Sequence, residues 1–230
     1  MMKNVFLLTA FLLSLLLFPL KGTAQEVKID VHAGANLSGF VSGNGFVVQD
    51  KKTMAGANVG AGVSYETKNK IVFSSGLDFL QTSGKYSVLS NYLSDGQLKY
   101  SYPEVKSREV AVEVPAKIGY DFSLGKKFQL IPSVGAYVRY SIASIKQNVT
   151  ENFAGNQLNT FKWDCFENHQ SKNQHLDAYK RWDVGALVEA KLLYAQHYSL
   201  SLGYSRGFMN KSFQYKIKNQ SFKVTLGYVF

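Results

Sequence analysis

The side chains best suited to metal or nucleophilic chemistry in this sequence are one cysteine and four histidines. Cys165, His169 and His175 fall together in "CFENHQSKNQH". A structural zinc site asks for four ligands at tight, paired spacings, and this stretch offers three at loose ones. His32 stands two residues from Asp30, a neighbourhood that suits a polar network better than a general base. No Ser-His-Asp order stands out, and no glycine-rich phosphate loop precedes a helix. Gly60-x-Gly62 lies inside a segment that reads as strand, so it is not a dinucleotide fingerprint. Asn148-Val149-Thr150 and Asn210-Lys211-Ser212 fit the glycan acceptor pattern, which is short enough to arise by chance. The residues therefore predict no catalytic set, no metal and no cofactor.

What remains is the chemistry of charge. The chain carries 26 basic and 16 acidic residues, a formal +10. Its start, "MMKNVFLLTAFLLSLLLFPLKGTAQEV", has Lys3 as a positive n-region, an apolar run from Val5 to Leu17, and the small residues Gly22-Thr23-Ala24. That is the pattern of a secretory signal, with cleavage expected after Ala24. Lys3 and Lys21 would leave with it, so the mature chain would carry +8. An exported chain with one cysteine cannot form an internal disulfide. Export also makes anionic lipid or polysaccharide a better partner for the positive charge than nucleic acid.

The elements that must position these charges are strands. Eight segments alternate with period two, as a strand with two different faces does. Val27 to Leu37, Ala55 to Tyr65, Ile71 to Phe79, Val110 to Tyr120, Phe128 to Ile142, Trp182 to Tyr194, Tyr198 to Tyr204 and Phe222 to Phe230 each keep an uncharged, largely apolar face. The opposite face holds glycines with Lys28, Asp30, Glu66, Asp78, Glu109, Glu113, Lys117, Arg139, Asp183, Glu189, Lys191 and Lys223.

A soluble sandwich would bury the apolar faces against each other. Three features favour lipid instead. The segments are about ten residues long, the length a tilted strand needs to cross a bilayer. Short turns near 67–70, 123–127 and 195–197 alternate with long loops at 39–53, 83–107, 143–181 and 206–219. Aromatic residues cluster at both ends of the strands, as expected at two lipid–water boundaries. The reading is an all-β, eight-stranded antiparallel up-and-down transmembrane barrel, with 1–24 as signal peptide and 25–230 as the barrel domain. The terminal strand is expected to close on the first, since every backbone group in hydrocarbon must be paired.

Eight strands enclose an interior that side chains can just fill. The inward charges are near balance and are expected to pair, with Glu113, Lys117, Arg139, Asp183, Glu189 and Lys191 as the centre of a network plugging the lumen. Pro115 and Pro132 fall inside strands and predict local bulges. The second long loop carries Tyr86, Tyr92, Tyr100 and Tyr102, and the third Phe153, Phe161, Trp163 and Phe166. These rings suit recognition of a partner, or they fold over the barrel mouth and lengthen the strands. In the fourth loop Arg206, Lys211, Lys216 and Lys218 stand with no acid among interleaved rings. That combination suits docking of anionic glycolipid at the outer rim beside the last two strands, or else an ordinary solvated loop.

"DVHAGANLSGF", "VAVEVPAKIGY", "SLSLGYSRGF" and "FKVTLGYVF" resemble stretches of PorT-like, porin-family outer-membrane β-barrels of Bacteroidetes type. The resemblance covers nearly the whole mature chain. It implies an eight-stranded barrel in the bacterial outer membrane, and it implies that Phe230 is the terminal signal read by the barrel-insertion machinery. The function expected is non-enzymatic: a barrel that anchors, seals or presents its loops to a protein partner, a surface or glycolipid. The alternatives are an outer-membrane enzyme acting on lipid or peptide, and a narrow diffusion channel.

Overall fold

A computed structural model describes residues 26–42, 48–88, 90–94, 97–101, 104–153, 156–170, 175–212 and 216–230. Eight long strands form one sheet: β1 Glu26–Ser42, β2 Val48–Glu66, β3 Ile71–Val88, β4 Glu104–Tyr120, β5 Phe128–Ser144, β6 Trp182–Tyr194, β7 Tyr198–Gly207 and β8 Ile217–Val229. Each pairs antiparallel with the next. β8 then pairs with β1, from Asp30↔Val229 to Ser42↔Ile217, which closes the sheet. Closure removes the unpaired edges that hydrocarbon would not tolerate. No helix among the described residues is long and apolar enough to cross a membrane; the crossing is made by strands.

The outer face is apolar. Val31, Val59, Leu77, Ile118, Val134, Val188, Leu202 and Leu226 are exposed along it. Rings meet across neighbouring strands at both ends. At the short-turn end Phe128 and Tyr194 lie 5.0 Å apart, and Tyr198 and Tyr228 5.7 Å. At the other end Tyr140 and Trp182 lie 4.7 Å apart.

Two details differ from expectation. Pro115 and Pro132 keep regular register with β5 and β6, opposite Tyr137 and Ala190. Beside Pro115 the β3–β4 ladder skips Gly76 and Leu77 and resumes in the same register. The missing N–H thus leaves a gap rather than a bulge, and the Pro115 carbonyl accepts a 2.8 Å bond from Ser75 Oγ. The irregularities fall elsewhere: at Val110/Ala111 of β4, and in β2 at Gln49/Lys52 and Thr53/Asn58.

The strands also run further past the bilayer than the alternation suggested. β2 begins at Val48 and β3 runs to Val88, so much of the first two long loops is strand. The third loop carries its own hairpin, Gln147–Phe153 with Asn156–Trp163, joined to β4 through Glu104↔Thr150.

Candidate functional site

The upper ends of the strands enclose an apolar core outside the membrane. Phe40, Val48, Tyr86, Val88, Val105 and Ile217 point inward from β1, β2, β3, β4 and β8. Val149, Trp163, Cys165, Leu176 and Tyr179 enter from the third loop. Phe40 and Tyr86 meet edge to face at 5.6 Å, as do Trp163 and Tyr179 at 5.2 Å. The polar tips are satisfied: Tyr86 and Tyr179 share a hydroxyl bond of 2.6 Å, and Trp163 Nε1 donates to the Glu167 carbonyl at 2.8 Å. Gly84 leaves room for the Phe40 ring, which a Cβ there would strike.

The sequence leaves Tyr86, Trp163, Phe161 and Phe166 either as recognition rings or as rings folded over the barrel mouth. The structure turns Tyr86 and Trp163 inward and packs Phe161 and Phe166 against the same core. The side chains of Tyr92, Tyr100 and Phe153, and all of Tyr102, lie outside the described residues. Cys165 is buried in this core, and burial pushes its thiol well up, with Glu109 adding to the effect. The backbones of His169 and His175 belong to a two-rung ladder, and their side chains lie outside the described residues.

Beneath the core, Lys211 points into the barrel. Its Nζ donates to Glu109 Oε2 at 2.6 Å and to Ser141 Oγ at 3.2 Å, and it is 2 % exposed. This corrects the grouping of Lys211 with the outer-rim cations: an inward acid at the mouth draws the ammonium in. Arg206 and Lys216 remain exposed and Lys218 half-buried. Arg206 stands opposite Gln220, two register pairs above Tyr204–Phe222.

Next comes a row of charges set by register. Asp78, Glu113, Arg139 and Asp183 are direct cross-strand neighbours on β3, β4, β5 and β6. Arg139 Nε donates to Glu113 Oε2 at 2.8 Å, and Lys223 reaches the other carboxylate oxygen. Arg139, directly opposite Asp183, turns its guanidinium to Glu113, and among the described residues Asp183 is held instead by Asn219 Nδ2 at 2.7 Å and the Tyr137 hydroxyl at 3.2 Å, both donating to it. Both partners occupy inward positions of their strands; Tyr137 is uncharged, and Asn219 falls in the expected fourth loop at 206–219, so neither stands out in the sequence.

On the same row, His32 of β1 reaches across Gly60 of β2 to Asp78, with Nε2 3.0 Å from Oδ1. A Cβ on Gly60 would collide with both groups, which explains the glycine. Lower down, Lys191 meets Asp30 at 3.1 Å, Lys117 meets Glu189 at 2.7 Å, and Lys28 meets Glu66 at 3.6 Å. An apolar floor of Val72, Ile131, Leu193 and Val229 lies at the short-turn end. Cavities of about 50 and 30 Å³ remain in the lumen. The larger is lined in part by Asn58, buried with neither amide atom hydrogen-bonded, and has room for water.

Residues 23–214 match the family model for the outer membrane protein beta-barrel domain. The chain belongs to this family. An outer membrane beta-barrel protein sits in the bacterial outer membrane, and the apolar outer face and paired rings are built for that place. The fold is also similar to solved barrels. Ail, the attachment invasion locus protein of Yersinia pestis, in complex with the heparin analogue sucrose octasulfate, is 10 % identical, with a TM-score of 0.41 over 89 % of this chain and 99 % of that one. OprG from Pseudomonas aeruginosa gives 11 %, 0.40, 89 % and 95 %. Neisserial surface protein A gives 11 %, 0.39, 89 % and 98 %. No curated protein matches the chain.

Proposed function

We propose that this outer membrane barrel is a non-enzymatic anchor with a side-chain-plugged lumen, which holds an ordered external platform for contact with a partner, a surface or glycolipid. The observation that carries the reading is the third loop seated in the barrel mouth, with Tyr179 packed on Phe40 and bonded to Tyr86, and Trp163 packed behind Tyr179 in the same core. A loop held in that way is a poor gate and a good rigid support. The ion pairs below it and the water-sized cavities support a closed interior. Within the same reading, 1–24 is a signal peptide removed after Ala24, and the barrel is of the PorT-like, Bacteroidetes type. Phe230 is the signal for the insertion machinery, and Arg206, Lys216 and Lys218 meet anionic glycolipid beside β7 and β8.

Planar-bilayer recording of the purified barrel tests the closed interior. The expected outcome is the absence of stable conductance steps. Steps of uniform size that scale with salt would replace the anchor reading with the channel.

A further inference from the structure

The upper halves of β2, β3 and β4 rise past the lipid-facing band, and their outer faces carry an unusual row of cations. Lys52 of β2 stands directly opposite Lys85 of β3, and Lys85 directly opposite Lys106 of β4. Arg108, two residues lower on β4, pairs in register with Ser83. Tyr86, Val105, Ser107 and Glu109 are buried and inward, so Lys85, Lys106 and Arg108 take the outer side. Like charges directly opposite on adjacent strands destabilise a sheet.

One acid offsets part of this repulsion. Glu104 pairs with Lys85 through Oε2 and with Lys106 through Oε1, the latter at 3.0 Å. Lys52 and Arg108 have no acidic partner among the described residues, and Arg108 Nε is buried without a hydrogen-bond partner. Exposed Lys146 adds a further positive charge close by, next to Ile145, whose N–H donates to the Arg108 carbonyl at 2.8 Å. Asp50 and Lys51, exposed at the β2 irregularity, cancel each other.

Height decides what these cations face. Val110 is the last apolar outward residue on β4. With a rise of about 3.3 Å per residue and a strand tilt near 40°, Arg108 lies roughly 5 Å and Lys106 roughly 10 Å above it. The headgroup layer of a bilayer leaflet is about 5–8 Å deep. The row therefore stands at and just above the level where lipid phosphates lie.

We propose that the outer face of β2, β3 and β4 binds the phosphorylated headgroup of an outer-leaflet glycolipid. Arg108 and Lys52 are the unpaired donors, and the Lys85–Glu104–Lys106 group frames them. A guanidinium fork suits a phosphate, and a bound phosphate removes the repulsion that the register imposes. This face lies on strands other than the β7–β8 rim of Arg206, Lys216 and Lys218, and the proposal rests on the barrel's place in the outer membrane.

The test compares heat denaturation of the full-length barrel in four settings. These are phosphatidylcholine vesicles alone, vesicles with diphosphorylated lipid A, vesicles with dephosphorylated lipid A, and neutral vesicles with inorganic phosphate. The wild type is expected to gain heat resistance with diphosphorylated lipid A only. K52Q/R108Q should lose most of that gain, keep its resistance in neutral vesicles, and carry roughly fivefold less bound lipid A. E104Q should move the other way, with lower resistance in neutral vesicles and a larger gain with diphosphorylated lipid A. An undiminished gain in K52Q/R108Q, an equal gain with dephosphorylated lipid A, or the same gain from inorganic phosphate each overturns the proposal. Failure of the wild type to enter any vesicle would instead count against the membrane placement.

Discussion

Glu113 is fully buried and holds two cations, Arg139 and Lys223. Breaking such a cluster on one side leaves charge in a medium that cannot solvate it. Glu113→Gln is therefore expected to destabilise the barrel by about 3–5 kcal/mol. Glu189→Gln should cost about 1 kcal/mol, because Lys117 and Glu189 both border the larger lumen cavity and water can replace the lost contact. Urea midpoints of the heat-modifiable band would separate the two, and equal shifts would remove the ranking. At this scale the sequence was legible in part. Period two was enough to place Glu113, Arg139 and Asp183 on the inner face. It could not show that they are neighbours, since the row Glu113↔Arg139↔Asp183 depends on the register of three strands. Lys211 was out of reach altogether, because it follows the last residue of β7 and no periodicity governs its direction.

The strands are where sequence reading goes furthest. An uncharged face, ten-residue segments and alternating connection lengths are all consequences of one constraint, that lipid accepts only a closed, backbone-satisfied sheet. Val188 illustrates it: the residue is exposed on the outer face of β6, opposite Val134 and Tyr204. Val188→Arg should cost roughly 2–4 kcal/mol near the bilayer midplane. Lys126→Glu, in the exposed turn before β5, should stay within about 0.5 kcal/mol. Folded yields in vesicles check the pair, and equal yields would mean the facing is wrong. Strand ends were less legible. Above the membrane the outer face turns polar, as at Lys85 and Lys106, while the inner face turns apolar, as at Tyr86 and Val105. Alternation persists but its sense inverts, so a search for apolar-out strands stops too early. The prolines misled for a related reason: a ladder gap satisfies a missing N–H as well as a bulge does, and only the partner strand reveals which occurs.

As a whole the molecule has two cores of opposite kind. Within the membrane the interior is polar and ion-paired while the outside is apolar. Above it, a conventional apolar core is closed by the long loop between β5 and β6. The two are joined through Lys211, whose backbone accepts from Lys180 of the third loop while its side chain binds Glu109 below. If the upper core is a separate layer, damage to it should spare the barrel. Trp163 is the place to test this, because it is buried against Tyr179 and belongs to the loop, not to a barrel strand. Trp163→Ala should cost the upper core about 3–5 kcal/mol. Cys165 two residues away gives the readout. In the intact protein its thiol is buried and held protonated, so labelling by a thiol reagent at neutral pH should be slow. In Trp163→Ala, labelling should become fast and proteolytic nicking within 145–181 should rise, while the heat-modifiable shift of the barrel stays within a few degrees. A barrel that melts together with its upper core would show one cooperative unit. Unchanged labelling would show that the loop is held by something other than Trp163.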